Sequence, residues 1–260
     1  MPVAALPPRT PRPTGWIFHV AHCGSTLLAR ALDREDGPLV LREPLALRQL
    51  GVGYDAERLA LAAAMLGKRY RADAPTIVKA NVPVNFILPE LMALDPGAPA
   101  ILLHYALDDY LLAILRSDNH RAWLGRVSAE LAGHLAAADD DATRAASLWL
   151  AQMRAFEKAI ARFPNMRSLD AEALFATPAP VIAAASAHFG APMRADEAEA
   201  IVAGPLFATY SKDPGVAFDN DARVARRAGL ARTLAPELAK ARAWVEKQGG
   251  EVIRLARPLI

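Results

Sequence analysis

Five short apolar runs, most of them separated by stretches with helical spacing, constrain this chain more than any other feature. They are Trp16 to Val20, "PLVLR" at 38–42, "TIVKA" at 76–80, "AILLHY" at 100–105 and "MRSLD" at 166–170. Strands that alternate with helices form βαβ units. Several of the runs are continuously apolar, as strands covered on both faces are, so they predict an open, mostly parallel sheet with helices packed on it. Ligands of such a sheet sit beyond the C-terminal ends of its strands. With 260 residues, 53% of them apolar and 22% charged, the chain can bury a substantial core.

The first run leads into "HCGST" and then "LLARAL", which reads as strand, loop and helix. Backbone N–H groups and two hydroxyls at the positive end of a helix suit an anion, most often a phosphate, and Gly24 lets the backbone approach it closely. Three readings of the loop remain open. A Walker A loop needs a leading Gly and a Lys before the hydroxyl, and both are missing here. A phosphatase loop has five residues between its nucleophilic Cys and its Arg, whereas six separate Cys23 from Arg30. The third reading is a Gly-Ser turn capping a helix, with Cys23 a small buried apolar residue.

Composition excludes several classes. The net charge is +2, from 30 basic and 28 acidic side chains, so no global field favours nucleic acid or an anionic membrane. A single cysteine leaves no internal disulfide or cysteine-based zinc site and fits a reducing, cytoplasmic setting. The segment 1–15 has five prolines in its first thirteen residues and no apolar signal-peptide region, and is expected to be a flexible tail. No run approaches the roughly 18 uncharged apolar residues of a spanning helix, so no membrane partner is expected. From Thr143 to Phe163, Trp149, Met153, Phe156, Ile160 and Phe163 form one helical face, with Asp139 to Asp141 as an N-terminal cap and acidic first turn. Residues 121–165 therefore read as a helical insertion over the sheet.

Two strand ends add chemistry. Glu43, in "LREP", follows the second run at the same sheet edge as the loop, where a carboxylate can take a proton from a hydroxyl. Lys79 and Asn81, in "IVKANVP", follow the third, and a Lys facing an anion loop stabilises leaving-group charge. The competing readings are a surface pair of Glu43 with Arg42 or Arg48, and a Lys79 that merely snorkels.

In order along roughly 16–218, these segments resemble the P-loop-like sulfotransferases that use 3′-phosphoadenosine 5′-phosphosulfate. The family's [RK]-x-G-[ST]-T loop is matched by His22, Cys23, Gly24, Ser25 and Thr26, its Glu-Pro by Glu43 and Pro44, and its Lys-x-Asn by Lys79 and Asn81. "LDAEALFATPAPVIAAASAHFGAPM" is similar to the family's Glu-Asp-Leu turn and following helix. The resemblance implies a three-layer α/β domain over 16–260, with a sheet of about five strands. It implies a loop including Leu27 that holds the 5′-phosphosulfate, Glu43 as base, and Lys79 and His22 as neutralising groups. It also implies a small-molecule or glycan acceptor, and no metal.

Departures from the family pattern bear on the donor. The family's 3′-phosphate Arg and Ser fall on Tyr105 and Ala113. Arg116, Ser117 and Arg121 are candidate replacements, as is Lys212 in the late "TYSKDPG" loop. Arg223, Arg226 and Arg227 make a basic stripe read as a solvated face. Sulfuryl transfer is the first expectation, with a preference of less than about a hundredfold for the 3′-phosphorylated nucleotide over the plain one. A degenerate nucleotide- or anion-binding protein is the second, and a phosphoryl-transfer enzyme the third.

Overall fold

The structure, a computed structural model, describes residues 14–69, 71–210, 213–217, 219–250 and 253–260, with residues 210 and 213–217 as backbone only. All five apolar runs are strands: β1 (Thr14–His19), β2 (Leu39–Arg42), β3 (Thr76–Lys79), β4 (Ala100–His104) and β5 (Met166–Asp170). They form one parallel sheet in the order β2-β3-β1-β4-β5. After β1 the chain runs outward to β2, returns through β3, and then crosses β1 to reach β4, so the order reverses between β1 and β4. A crevice opens at the strand ends at such a reversal. β1 begins two residues inside the expected tail, with Thr14 and Gly15 already paired to Thr76 and Ile77; residues 1–13 lie outside the described residues.

Helices cover both faces. α1 (Ser25–Leu32) follows β1, while α2 (Leu45–Val52) and α3 (Ala56–Leu66) link β2 to β3. A 3₁₀ turn at Val82–Phe86 and α4 (Leu88–Ala93) lead to β4. Next come α5 (Leu107–Leu115), α6 (Asp118–Glu130) and α7 (Asp141–Arg162) before β5, and α8 (Ala171–Ala176), α9 (Pro178–His188), α10 (Ala195–Ala203) and α11 (Pro205–Ala208) after it. A two-stranded antiparallel ladder, β6 (Thr209–Tyr210) with β7 (Asp213–Ala217), precedes α12 (Asn220–Thr233) and α13 (Ala235–Lys247). That ladder stands where the sequence suggested a late basic loop; Ser211 and Lys212 lie outside the described residues. The final segment lines the free edge of β5, where Ser168 N–H donates to the Arg257 carbonyl at 3.0 Å and Leu259 N–H to the Ser168 carbonyl at 2.8 Å.

The central strands are buried on both faces. Ile17, Phe18, Ile77, Val78, Ile101 and Leu102 are each 0% exposed, and full burial of such a side chain contributes about 1.5–3 kcal/mol. The expected face of α7 is confirmed, with Trp149, Met153, Phe156 and Ile160 all in the core and Phe163 buried just after it. At its start Asp140 accepts the Thr143 N–H at 2.9 Å in a reciprocal capping box, and Asp141 supplies the acidic first turn. With so many buried residues, α7 is a layer of the core rather than a loose insertion, and the helical region begins at Asp118 rather than 121. A buried relay ties it to the site, since Asn85 Nδ2 donates both to the Gln152 side chain on α7 and to the His19 carbonyl at the end of β1. Among the described residues no helix is long and apolar enough to cross a membrane.

Candidate active site

A cavity of about 580 Å³ lies at the C-terminal ends of β1, β2, β3 and β4. Its floor follows from strand register. Arg42 on β2 is opposite Lys79 on β3, and the next residue, Glu43, donates its N–H to the Lys79 carbonyl at 2.8 Å. There the backbone leaves the strand, because Glu43 has a left-handed φ of 55°. This turn breaks the alternation of side chains, and the Glu43 carboxylate accepts a hydrogen bond from Lys79 Nζ. Lys79 is 1% exposed, whereas the Glu43 side chain is 44% exposed and faces the cavity. A buried ammonium costs several kcal/mol in lost hydration, which a paired carboxylate offsets. The alternative surface pairing of Glu43 is therefore not formed, and Arg48 binds Glu130 on α6 at 2.5 Å instead.

His19 completes this floor, and the sequence did not single it out. It ends β1 and is 4% exposed. Its Nε2 lies 2.9 Å from the Ala80 carbonyl and 3.8 Å from Glu43 Oε1, and its Nδ1 lies 3.2 Å from the Val20 carbonyl. A titratable residue inside an apolar strand run, at the end where ligands bind, was the only signal available. Asn81 also lines the cavity, and its buried Oδ1 has no hydrogen-bond partner among the described residues.

The loop after β1 forms one wall. Gly24 is the N-cap of α1 with φ 81° and offers no capping side chain of its own, and Gly24, Ser25, Thr26 and Leu27 all line the cavity. His22 also takes a left-handed φ, 59°. Such a conformation at a residue with a Cβ costs about 1–3 kcal/mol and persists only where its surroundings enforce it. Glu43 and His22 thus concentrate backbone strain in this cavity. Gly24 is required for a second reason, because a Cβ there would fall 2.8 Å from Phe175 Cζ.

Cys23 does not line the cavity. Its side chain is 0% exposed beneath the loop and its thiol donates to the Val20 carbonyl at 2.7 Å. Burial, partly offset by the nearby Lys79 charge, pushes the thiol up to about 12. That is the wrong direction for a nucleophile.

The candidate replacements for the missing 3′-phosphate ligands separate. Tyr105 and Ala113 do line the cavity. Arg116 lines it too, and donates to His120 Nε2 through Nε at 3.1 Å and Nη2 at 2.8 Å. Ser117 is not in the wall and lies 2.6 Å from His120 Nδ1. The His120 ring packs on His22 with centroids 4.4 Å apart, and Trp123 meets His22 edge-on at 5.1 Å. Arg121 turns away to Asp141 and Glu237.

The stripe on α12 is a solvated face only at Arg226, whereas Arg223 and Arg227 turn inward. Arg223, Arg226 and Arg227 all line the cavity. Arg223 stacks over Phe175 at 4.3 Å and binds Glu172 through both terminal nitrogens, at 2.9 and 2.8 Å. Arg227 pairs with Glu172 at 2.5 Å and also with Asp109. α12 has no buried residues of its own, so these ion pairs fasten it to α5 and α8. Arg223 and Arg227 thus bring two positive charges to the cavity, matched by Glu172 and Asp109.

No family model and no curated protein matches this chain. Among solved structures it is similar to the sulfotransferase from Alicyclobacillus acidocaldarius, with 15% identity over 91% of this chain and 95% of that one and a TM-score of 0.49. It is also similar to the sulfotransferase domain from the curacin biosynthetic pathway, with 14% identity over 94% and 100% of the two chains and a TM-score of 0.60. The second likeness shows the fold: a five-stranded parallel α/β domain of the sulfotransferase type. Identity this low shows the fold alone.

Proposed function

We propose that this protein is a sulfotransferase that moves a sulfuryl group from 3′-phosphoadenosine 5′-phosphosulfate to a hydroxyl or amine acceptor. The observation that carries the reading is the Glu43–Lys79 pair on the floor of a cavity whose wall is a glycine-led helix start. The loop residues fit the 5′-phosphosulfate, since the N–H groups of a first helical turn suit an anion. The other end of the nucleotide meets Arg223, Arg226 and Arg227.

Glu43, half-exposed to the cavity, accepts the acceptor's proton as its oxygen or nitrogen bonds to sulfur. Lys79, held in place by Glu43, takes up the charge that develops on the bridging oxygen as the old S–O bond breaks. His22 and Arg116 add positive potential on the loop side. His19 fixes the floor through the carbonyls at the ends of β1 and β3.

A nucleotide- or anion-binding protein without transfer is the second reading, favoured by Tyr105 and Ala113 at the family's 3′-phosphate positions. Two measurements separate the readings. Thermal stabilisation by 3′-phosphoadenosine 5′-phosphate, compared with 5′-AMP, ATP and sulfate, reports the donor site. Transfer of labelled sulfuryl groups to a panel of phenols, alcohols and amines reports activity. Nucleotide binding with no transfer to any acceptor would favour the second reading.

A further inference from the structure

α6 roofs the cavity from the anion loop to α2. Near its start His120 packs on His22, and its last residue, Glu130, binds Arg48 of α2, five residues beyond Glu43. Ten residues of helix separate these contacts, about 15 Å at 1.5 Å per residue. Between them Trp123 also meets His22, so Arg126 stands between the loop contacts and Glu130, and the end of the cavity under the last turn of α6 is bounded by Arg48 and Glu130. Val82, Pro83 and Val127 give it apolar walls.

Its charges are uneven. Among the lysines and arginines of the cavity wall, Lys79 is matched by Glu43, Arg48 by Glu130, and Arg223 and Arg227 by Glu172 and Asp109, while Arg116 binds His120 and Arg226 the Ala222 carbonyl. Arg126, one turn before Glu130, also lines the cavity, is exposed, and has no hydrogen bond or ion pair among the described residues. A binding site matches its ligand in charge, and an unmatched guanidinium fits a carboxylate through two parallel hydrogen bonds.

Resting on the transferase reading, we propose that the acceptor is a hydroxyl compound with an apolar body and a carboxylate, and that Arg126 holds the carboxylate while the hydroxyl faces Glu43. Arg126 is then a specificity-determining residue.

The probe is 3-(4-hydroxyphenyl)propanoate, compared with its neutral amide. Binding is measured by calorimetry on the wild type, Arg126→Ala and Arg126→Lys, and nucleotide affinity is measured on the same proteins. The acid should bind the wild type at least about tenfold more tightly than the amide, the scale of one charge-assisted contact. The preference should vanish in Arg126→Ala and return in part in Arg126→Lys, with nucleotide affinity unchanged. In transfer assays the change should appear in KM and not in kcat. Equal binding of acid and amide, no binding of the acid, or an unchanged preference in Arg126→Ala would overturn the proposal. So would a loss of nucleotide affinity, which would place Arg126 in the donor site. Arg126-dependent acid binding without sulfuryl transfer would leave the carboxylate subsite standing and remove the transferase reading; efficient transfer that ignores Arg126 would do the reverse.

Discussion

Glu43→Gln tests the proposed chemistry most directly, because it keeps the shape of the side chain and removes its charge and its basicity. Losing a general base lowers turnover by about a hundredfold or more, or roughly 2.7 kcal/mol in the barrier. The substitution also strips Lys79 of its counter-charge at a position 1% exposed. Removing one member of a fully buried pair costs about 3–5 kcal/mol. With the Glu43 side chain 44% exposed, solvent screens much of that, and about 1–2 kcal/mol is expected. For a domain of this size that lowers Tm by about 2–8 °C. Donor binding should change by less than about threefold, since the proposed donor contacts are made by the loop and not by Glu43. The assay pairs labelled sulfuryl transfer at saturating nucleotide with calorimetric titration of 3′-phosphoadenosine 5′-phosphate and a thermal melt. If nucleotide affinity collapses while turnover per bound donor survives, Glu43 is a structural partner of Lys79 and the proton must go elsewhere.

Gly24→Ala should lower stability by at least about 1–2 kcal/mol, the cost of a left-handed residue with a Cβ, and should weaken nucleotide binding as Phe175 is displaced; a melt and a titration unchanged from wild type would show that the loop does not need this conformation. Cys23→Ser should keep most of its activity, and native Cys23 should react with an aromatic disulfide reagent at pH 8 far more slowly than after denaturation; abolished turnover with intact binding would reinstate a cysteine mechanism. Asp140 is held down to about 2, first by Lys240 and then by the Thr143 N–H, so its contribution is complete above the unfolded carboxylate value near 3.9 and is lost as pH falls through about 2. Asp140→Ala should therefore cost about 1 kcal/mol at pH 7 and little at pH 2, and an equal cost at both would refute the linkage. By calorimetry, 3′-phosphoadenosine 5′-phosphate should be preferred over 5′-AMP by less than about a hundredfold, because Arg223 and Arg227 already serve Glu172 and Asp109; a preference of several thousandfold would show that those carboxylates release them.

The strands, the loop after β1 and the aromatic face of α7 were legible in the sequence because each is a local pattern. A run of apolar residues, a glycine among hydroxyls, and a spacing of four and three all declare themselves within about twenty residues. The order of strand-end motifs placed Glu43 and Lys79 at one sheet edge before any contact between them was known. What stayed hidden depends on which elements meet. The stripe on α12 looks the same in sequence whether Arg223 and Arg227 face water or face Glu172 and Asp109, more than fifty and more than a hundred residues away. Arg116 and Arg121 are equally plausible ligands on paper, and only the packing of α13 against α7 turns Arg121 to Glu237 and leaves Arg116 in the cavity wall. His19 looked like one residue of a strand until β3 brought the Ala80 carbonyl and β2 brought Glu43 to its ring. Backbone propensity and apolar periodicity are properties of a segment, so the sequence by itself determines the elements and the faces they bury. Charge pairing depends on distance in space and on exclusion of water, so the tertiary structure alone decides which cations are matched and which, like Arg126, have no partner among the described residues.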